Sequence, residues 1–86
     1  MPNLTGNIPD HIFYGSLMAE ILRIGRATLL YEDFLPRVQQ LFQRMRNQGG
    51  TQKKLFAQIT KVMRIHPEPF NKFGKSSLEI ICDIKV

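Results

Sequence analysis

The sequence predicts a small all-α domain: a three-helix bundle with a short fourth turn and a C-terminal tail that is extended or β. Three observations carry this. Apolar residues recur at steps of three and four through residues 10–65, the signature of one buried helix face. Gly49-Gly50 and the His66-Pro67 pair cut that pattern into helix-length pieces. From Leu78 onward the period changes to two. At 86 residues the chain suits one core, with about 60% of the unfolded surface buried. It divides into an N-terminal arm (1–9), a bundle (10–75) and a tail (76–86).

The first helix is expected from Asp10 to Ala27, with the Asp10 carboxylate accepting from amides of the first turn. Phe13, Leu17, Ile21 and Ile24 stack on one face. Gly15 and Gly25 each weaken a helix by roughly 1 kcal/mol relative to alanine. Both are therefore expected to serve close packing, or, at Gly25, to loosen the last turn.

Thr28 to Leu30 reads as a connector, and a second helix begins near Tyr31. Phe34, Val38, Leu41 and Met45 form its inner stripe, widened by Phe42. Glu32 and Asp33 fall in the first turn, where negative charge complements the helix dipole. Pro36 is expected about one turn inside, or in the true first turn itself. Gly49-Gly50 ends the helix, since glycine enters the left-handed region without steric penalty.

Thr51 caps the third helix, whose inner residues are Leu55, Ile59 and Val62, flanked by Phe56 and Met63. Pro67 pushes His66 out of helical geometry. "EPFNKFG" adds one turn, with Phe70 and Phe73 folded back on the bundle and Gly74 as the stop. In the tail, Leu78, Ile80, Cys82, Ile84 and Val86 alternate with Glu79, Ile81, Asp83 and Lys85, a strand pattern broken only by Ile81. With no partner strand in the bundle, the tail is expected to pair outside it or to belong to a longer protein.

Little in the chain points to chemistry. Glu32 and Asp33 are adjacent, so on a helix they diverge by about 100° and cannot converge on one reacting atom. His11, His66 and Cys82 lack the paired spacing of zinc ligands. "NQGGTQKK" lacks the spacing of a phosphate-binding loop, yet it sets amides and two lysines at the start of helix three, a weak anion site. No catalytic residue, metal, cofactor or small-molecule substrate is expected. The single cysteine rules out an internal disulfide and fits a reducing compartment. No apolar run approaches the roughly 18–20 residues of a membrane span, and "MPNLTGNIPD" does not read as a secretory signal. The expected location is intracellular, nuclear or cytoplasmic, without a membrane partner.

Charge says more. The net charge is +5, and the sequence pI is near 9.8. No acid lies between Asp33 and Glu68, while Arg37, Arg44, Arg46, Lys53, Lys54, Lys61 and Arg64 fall in that interval. Such an interval attracts phosphate. Arg37, Gln40, Arg44 and Gln48 share one polar face of helix two, and Lys54, Gln58 and Lys61 share one of helix three. Arg23 and Arg26 share a face of helix one, where Arg23 can pair with Glu20 while Arg26 has no local acid. Cations interleaved with glutamine suit phosphate and sugar edges. The phenylalanines are mostly committed to apolar stripes, which disfavours a base-stacking platform. The candidate nucleic-acid contacts are Arg23, Arg26, Arg37, Arg44, Lys53, Lys54, Lys61 and Arg64. Two other readings stand beside this one. One is a protein-interaction module that docks through the bundle and the tail edge. The other is a helix-turn-helix with helix three as the reader.

"NIPDHIFYGSLMAEILRIGRAT", "YEDF", "NQGG" and "KKLFAQITKV" together resemble a segment of retroelement reverse transcriptases, of Penelope-like and related lineages, just C-terminal to the palm. Arg23, Arg26, Asp33, Phe34, Leu41 and Gly49 match that pattern, over roughly residues 8–75. The resemblance implies a helical, thumb-like module that holds template-primer duplex or RNA–DNA hybrid beside the rest of a polymerase chain. The sequence departs from the whole enzyme in lacking a Tyr-x-Asp-Asp motif and an endonuclease module, so it implies no synthesis by this chain alone.

Overall fold

The computed structural model describes the backbone of residues 10–85 and the side chains of residues 12–85. The expected N-terminal arm, the Asp10 cap, His11 and Val86 lie outside what it describes in side-chain detail. Five helices follow in order: α1 (Asp10–Ala27), α2 (Tyr31–Asn47), α3 (Gln52–Ile65), α4 (Glu68–Asn71) and α5 (Ser77–Lys85). The domain is all-α, with no strand among the described residues.

α1, α2 and α3 pack against one another, α4 closes on α1, and α5 lies across α2 and α3. The apolar stripes meet as their spacing requires: Leu17, Ile21, Phe34, Val38, Leu55 and Ile59 are fully buried. Phe70 and Phe73 fold back beside Phe34, with ring centroids 5.9 and 4.7 Å from it.

Sequence punctuation explains most of the boundaries. Gly49 has φ of +103° and Gly74 has φ of +62°, so both stops use the left-handed region that favours glycine. Thr51 Oγ1 accepts from the Lys54 amide at 3.3 Å, capping α3. At the other end of α1, buried Thr28 donates its hydroxyl to the Ile24 carbonyl at 2.7 Å. Lys72 Nζ donates to the Gly25 carbonyl, also at 2.7 Å, which satisfies a second orphan acceptor of that terminus.

The C-terminal expectation needs correction. The tail is a helix, α5, not a strand. Ser76 and Glu79 form a capping box: the Ser76 amide donates to Glu79 Oε1 at 2.9 Å, and the Glu79 amide donates to Ser76 Oγ at 3.2 Å. Ile80 is buried, with Ile81 and Ile84 packed beside it, whereas Leu78 and Cys82 are exposed. A strand would have put Leu78, Ile80 and Cys82 on one face; on the helix Ile80 turns to the core while Leu78 and Cys82, four residues apart, share the exposed side. A helix also satisfies its own backbone, which an unpartnered strand cannot.

Two smaller points are settled within the helices. Pro36 lies in the second turn of α2, about one turn inside, where its ring removes one amide from the ladder. The two α1 glycines differ, and only one serves close packing. A Cβ on Gly25 would stand 2.5 Å from Phe70 Cε1, so Phe70 packs directly on the α1 backbone; at Gly15 nothing lies within 4 Å.

Candidate nucleic-acid interface

The eight candidate cations fall on separate surfaces. On α3, at about 100° per residue, Lys53, Arg64, Lys61 and Lys54 occupy one sector, roughly opposite the buried Leu55, Ile59 and Val62. All four are exposed. Lys53, Lys61 and Arg64 make no ion pair among the described residues. Lys54 leans toward α1, its Nζ 5.8 Å from the Tyr14 ring centroid.

The first turn of α3 has no acidic residue and two lysines. That arrangement opposes the helix dipole, which favours negative charge at an N-terminus. Positive side chains beside a helix N-terminus suit an anionic ligand instead.

The second surface is a cleft of about 320 Å³ between α1 and α2, lined by Glu20, Arg23, Ile24, Arg37, Gln40, Leu41 and Arg44. Arg23 donates to Glu20 through Nε at 3.0 Å and through Nη2 at 2.9 Å. Arg44 Nη2 reaches the same Glu20 Oε2 at 3.8 Å. The Arg23 hydrogen bond, with Coulombic attraction from Arg23 and Arg44, holds the Glu20 carboxyl below its ordinary pKa. The Arg23 guanidinium is correspondingly raised. Arg23 is therefore partly neutralised, while Arg37 has no ion-pair partner among the described residues. Arg26 is exposed on the outer face of α1 and lines neither surface described above.

Helical spacing makes the α3 sector legible, as it does the Arg37, Gln40 and Arg44 face. It does not reveal that Arg23 and Glu20 meet Arg44, because that contact depends on how α1 crosses α2. In the sequence Arg46 belongs only to the basic interval. In the structure it lines another groove, between α2, α3 and α5, with Phe42, Phe56, Ile84 and Lys85. No local pattern places it there while the tail reads as a strand.

Tyr31-Glu32-Asp33 carries no converging acids. Glu32 and Asp33 are exposed in the first turn of α2, and Tyr31 is half-buried against Phe34 and Phe73. Among the described residues no group of three or more His, Cys, Asp or Glu side chains could hold a metal ion. No described helix is long and apolar enough to cross a membrane. No protein-family model, curated protein or solved structure matches the chain.

Proposed function

We propose that the chain binds nucleic-acid backbone without sequence preference, as a thumb-like helical module of the kind reverse transcriptases use to hold a template-primer duplex. The observation that carries this reading is the α3 surface: Lys53, Lys54, Lys61 and Arg64 in one exposed sector, with no acid in the sequence between Asp33 and Glu68. The reverse-transcriptase context rests on the sequence resemblance. Backbone contact rests on charge and exposure.

Fluorescence anisotropy of a labelled duplex and a labelled RNA–DNA hybrid, titrated across salt, tests the reading. Four phosphate contacts give a log affinity against log salt slope of about −3.6. Lys61→Ala and Arg64→Ala should each flatten the slope by about one. A salt-independent affinity, or no binding at micromolar protein in low salt, overturns it. Unrelated duplexes should compete equally; strong preference for one sequence would favour a helix-turn-helix with α3 as reader. Docking through a β edge at the C-terminus loses its structural element, because residues 77–85 are helical.

A further inference from the structure

The α1–α2 cleft holds three arginines around one carboxylate. Arg23, Arg37 and Arg44 against Glu20 leave a formal charge of three minus one, or +2. Arg37 and Arg44 lie seven residues apart, two turns along one face of α2, with the Gln40 amide between them. Glu20 Oε2 stands 2.9 Å from Arg23 Nη2 and 3.8 Å from Arg44 Nη2, so the carboxylate marks the point where guanidinium groups from two helices converge.

A phosphodiester, like a carboxylate, presents paired oxygens that share one negative charge, and arginine recognises both through the same fork. We infer that this cleft is a second backbone-phosphate site, in which Glu20 is a displaceable internal occupant that lowers affinity until a phosphate takes its place. The inference rests on the proposed nucleic-acid reading and extends it to a surface separate from α3.

Displacement is easy. The Glu20–Arg23 pair is solvent-exposed, with 63% of the Arg23 side chain and 31% of the Glu20 side chain accessible. Exposed pairs of this kind are weak. On displacement, Arg23 and Arg44 turn to the phosphate, Arg37 adds charge that no described acid neutralises, and Gln40 offers amide hydrogens to the remaining oxygens.

Glu20→Gln tests this in the full chain, with the labelled duplex as probe and circular dichroism as a check on folding. It should tighten binding about threefold and steepen the salt slope by about one. Glu68→Gln removes the same charge from an exposed position on α4 and should tighten binding far less. Adding Arg37→Ala and Arg44→Ala to Glu20→Gln should abolish the gain. Equal tightening by Glu20→Gln and Glu68→Gln, or none by either, overturns the inference. If α3 variants abolish binding while Glu20→Gln changes nothing, the α3 reading stands and this one falls. If α3 variants have no effect while the cleft variants do, the cleft is supported and the α3 surface is not. Absence of binding by both the natural chain and Glu20→Gln overturns both. Inorganic pyrophosphate serves as competitor: displacement of duplex at equal phosphate concentration would show a small-anion site and overturn the assignment to backbone.

Discussion

Tyr31 donates its phenolic hydrogen to Asp83 Oδ2 at 2.6 Å, joining the first turn of α2 to the last turn of α5 across 52 residues of chain. Gln39 Nε2 adds a longer bond of 3.4 Å to the Asp83 carbonyl. The Tyr31 ring packs on Phe73, and Lys75 Nζ lies 5.1 Å from its centroid. One aromatic residue thus ties α2, the turn that follows α4, and α5 together.

Tyr31→Phe keeps the ring contacts and removes the hydroxyl, leaving the half-buried Asp83 carboxylate short of a donor. A loss of about 1–2 kcal/mol is expected, measured by urea unfolding. The effect should also depend on pH. Burial raises the Tyr31 phenol, and hydrogen bonding to the Asp83 carboxylate raises it further. The folded state therefore keeps a proton that the unfolded chain releases above about pH 10. The contribution is complete below that pH and is lost as pH rises above it. The Tyr31→Phe variant should lack this alkaline decline.

The capping box titrates in the opposite direction. The Ser76 amide holds the Glu79 carboxyl below its ordinary range, so its contribution is present above about pH 4.3 and fades as acid protonates it. Ser76→Ala should weaken the α5 start by about 1 kcal/mol. Amide exchange at Ile80 and Ile81 should accelerate before exchange in α1 does.

Ile80→Ala should destabilise the whole domain, by about 2–5 kcal/mol in thermal or urea unfolding, because Ile80 is fully buried in the shared core. Removing residues 76–86 should do more. Such a truncation cannot separate a protein-docking role from nucleic-acid binding, since it strips apolar cover from α2 and α3 in either case. Surface substitutions on α3 and in the α1–α2 cleft make that distinction without touching the core.

The two glycines of α1 should respond with opposite signs. Gly15→Ala meets open space and gains helix propensity, stabilising by up to about 1 kcal/mol. Gly25→Ala gains the same propensity but drives a methyl into the buried Phe70 ring. Overpacking of this kind costs about 1–3 kcal/mol. Urea midpoints of the two variants check both signs.

The first three helices are legible in the sequence because their signals are local. Thr51, Gly49 and the apolar stripes act within a few residues of themselves, and α3's charged sector follows from helical period alone. The tail misleads because its two signals disagree. Ile80, Cys82 and Ile84 suit a strand, while Ser76 with Glu79 three residues later marks a helix start. The structure favours the signal that satisfies the backbone internally. The Glu20, Arg23 and Arg44 convergence is unreadable for another reason: it exists only after α1 and α2 have docked, and neither helix encodes the partner's register.

The approach of Phe70 to Gly25 also bears on descent. A side chain at position 25 crowds an aromatic ring at position 70, so the two positions are expected to change together. That paired constraint should outlast the exposed positions that touch neither the core nor the proposed phosphate contacts. A glycine late in a first helix, matched to an aromatic in a short fourth one, is thus the pair expected to recur together in remote kin of this domain, and an alignment of such sequences would check it.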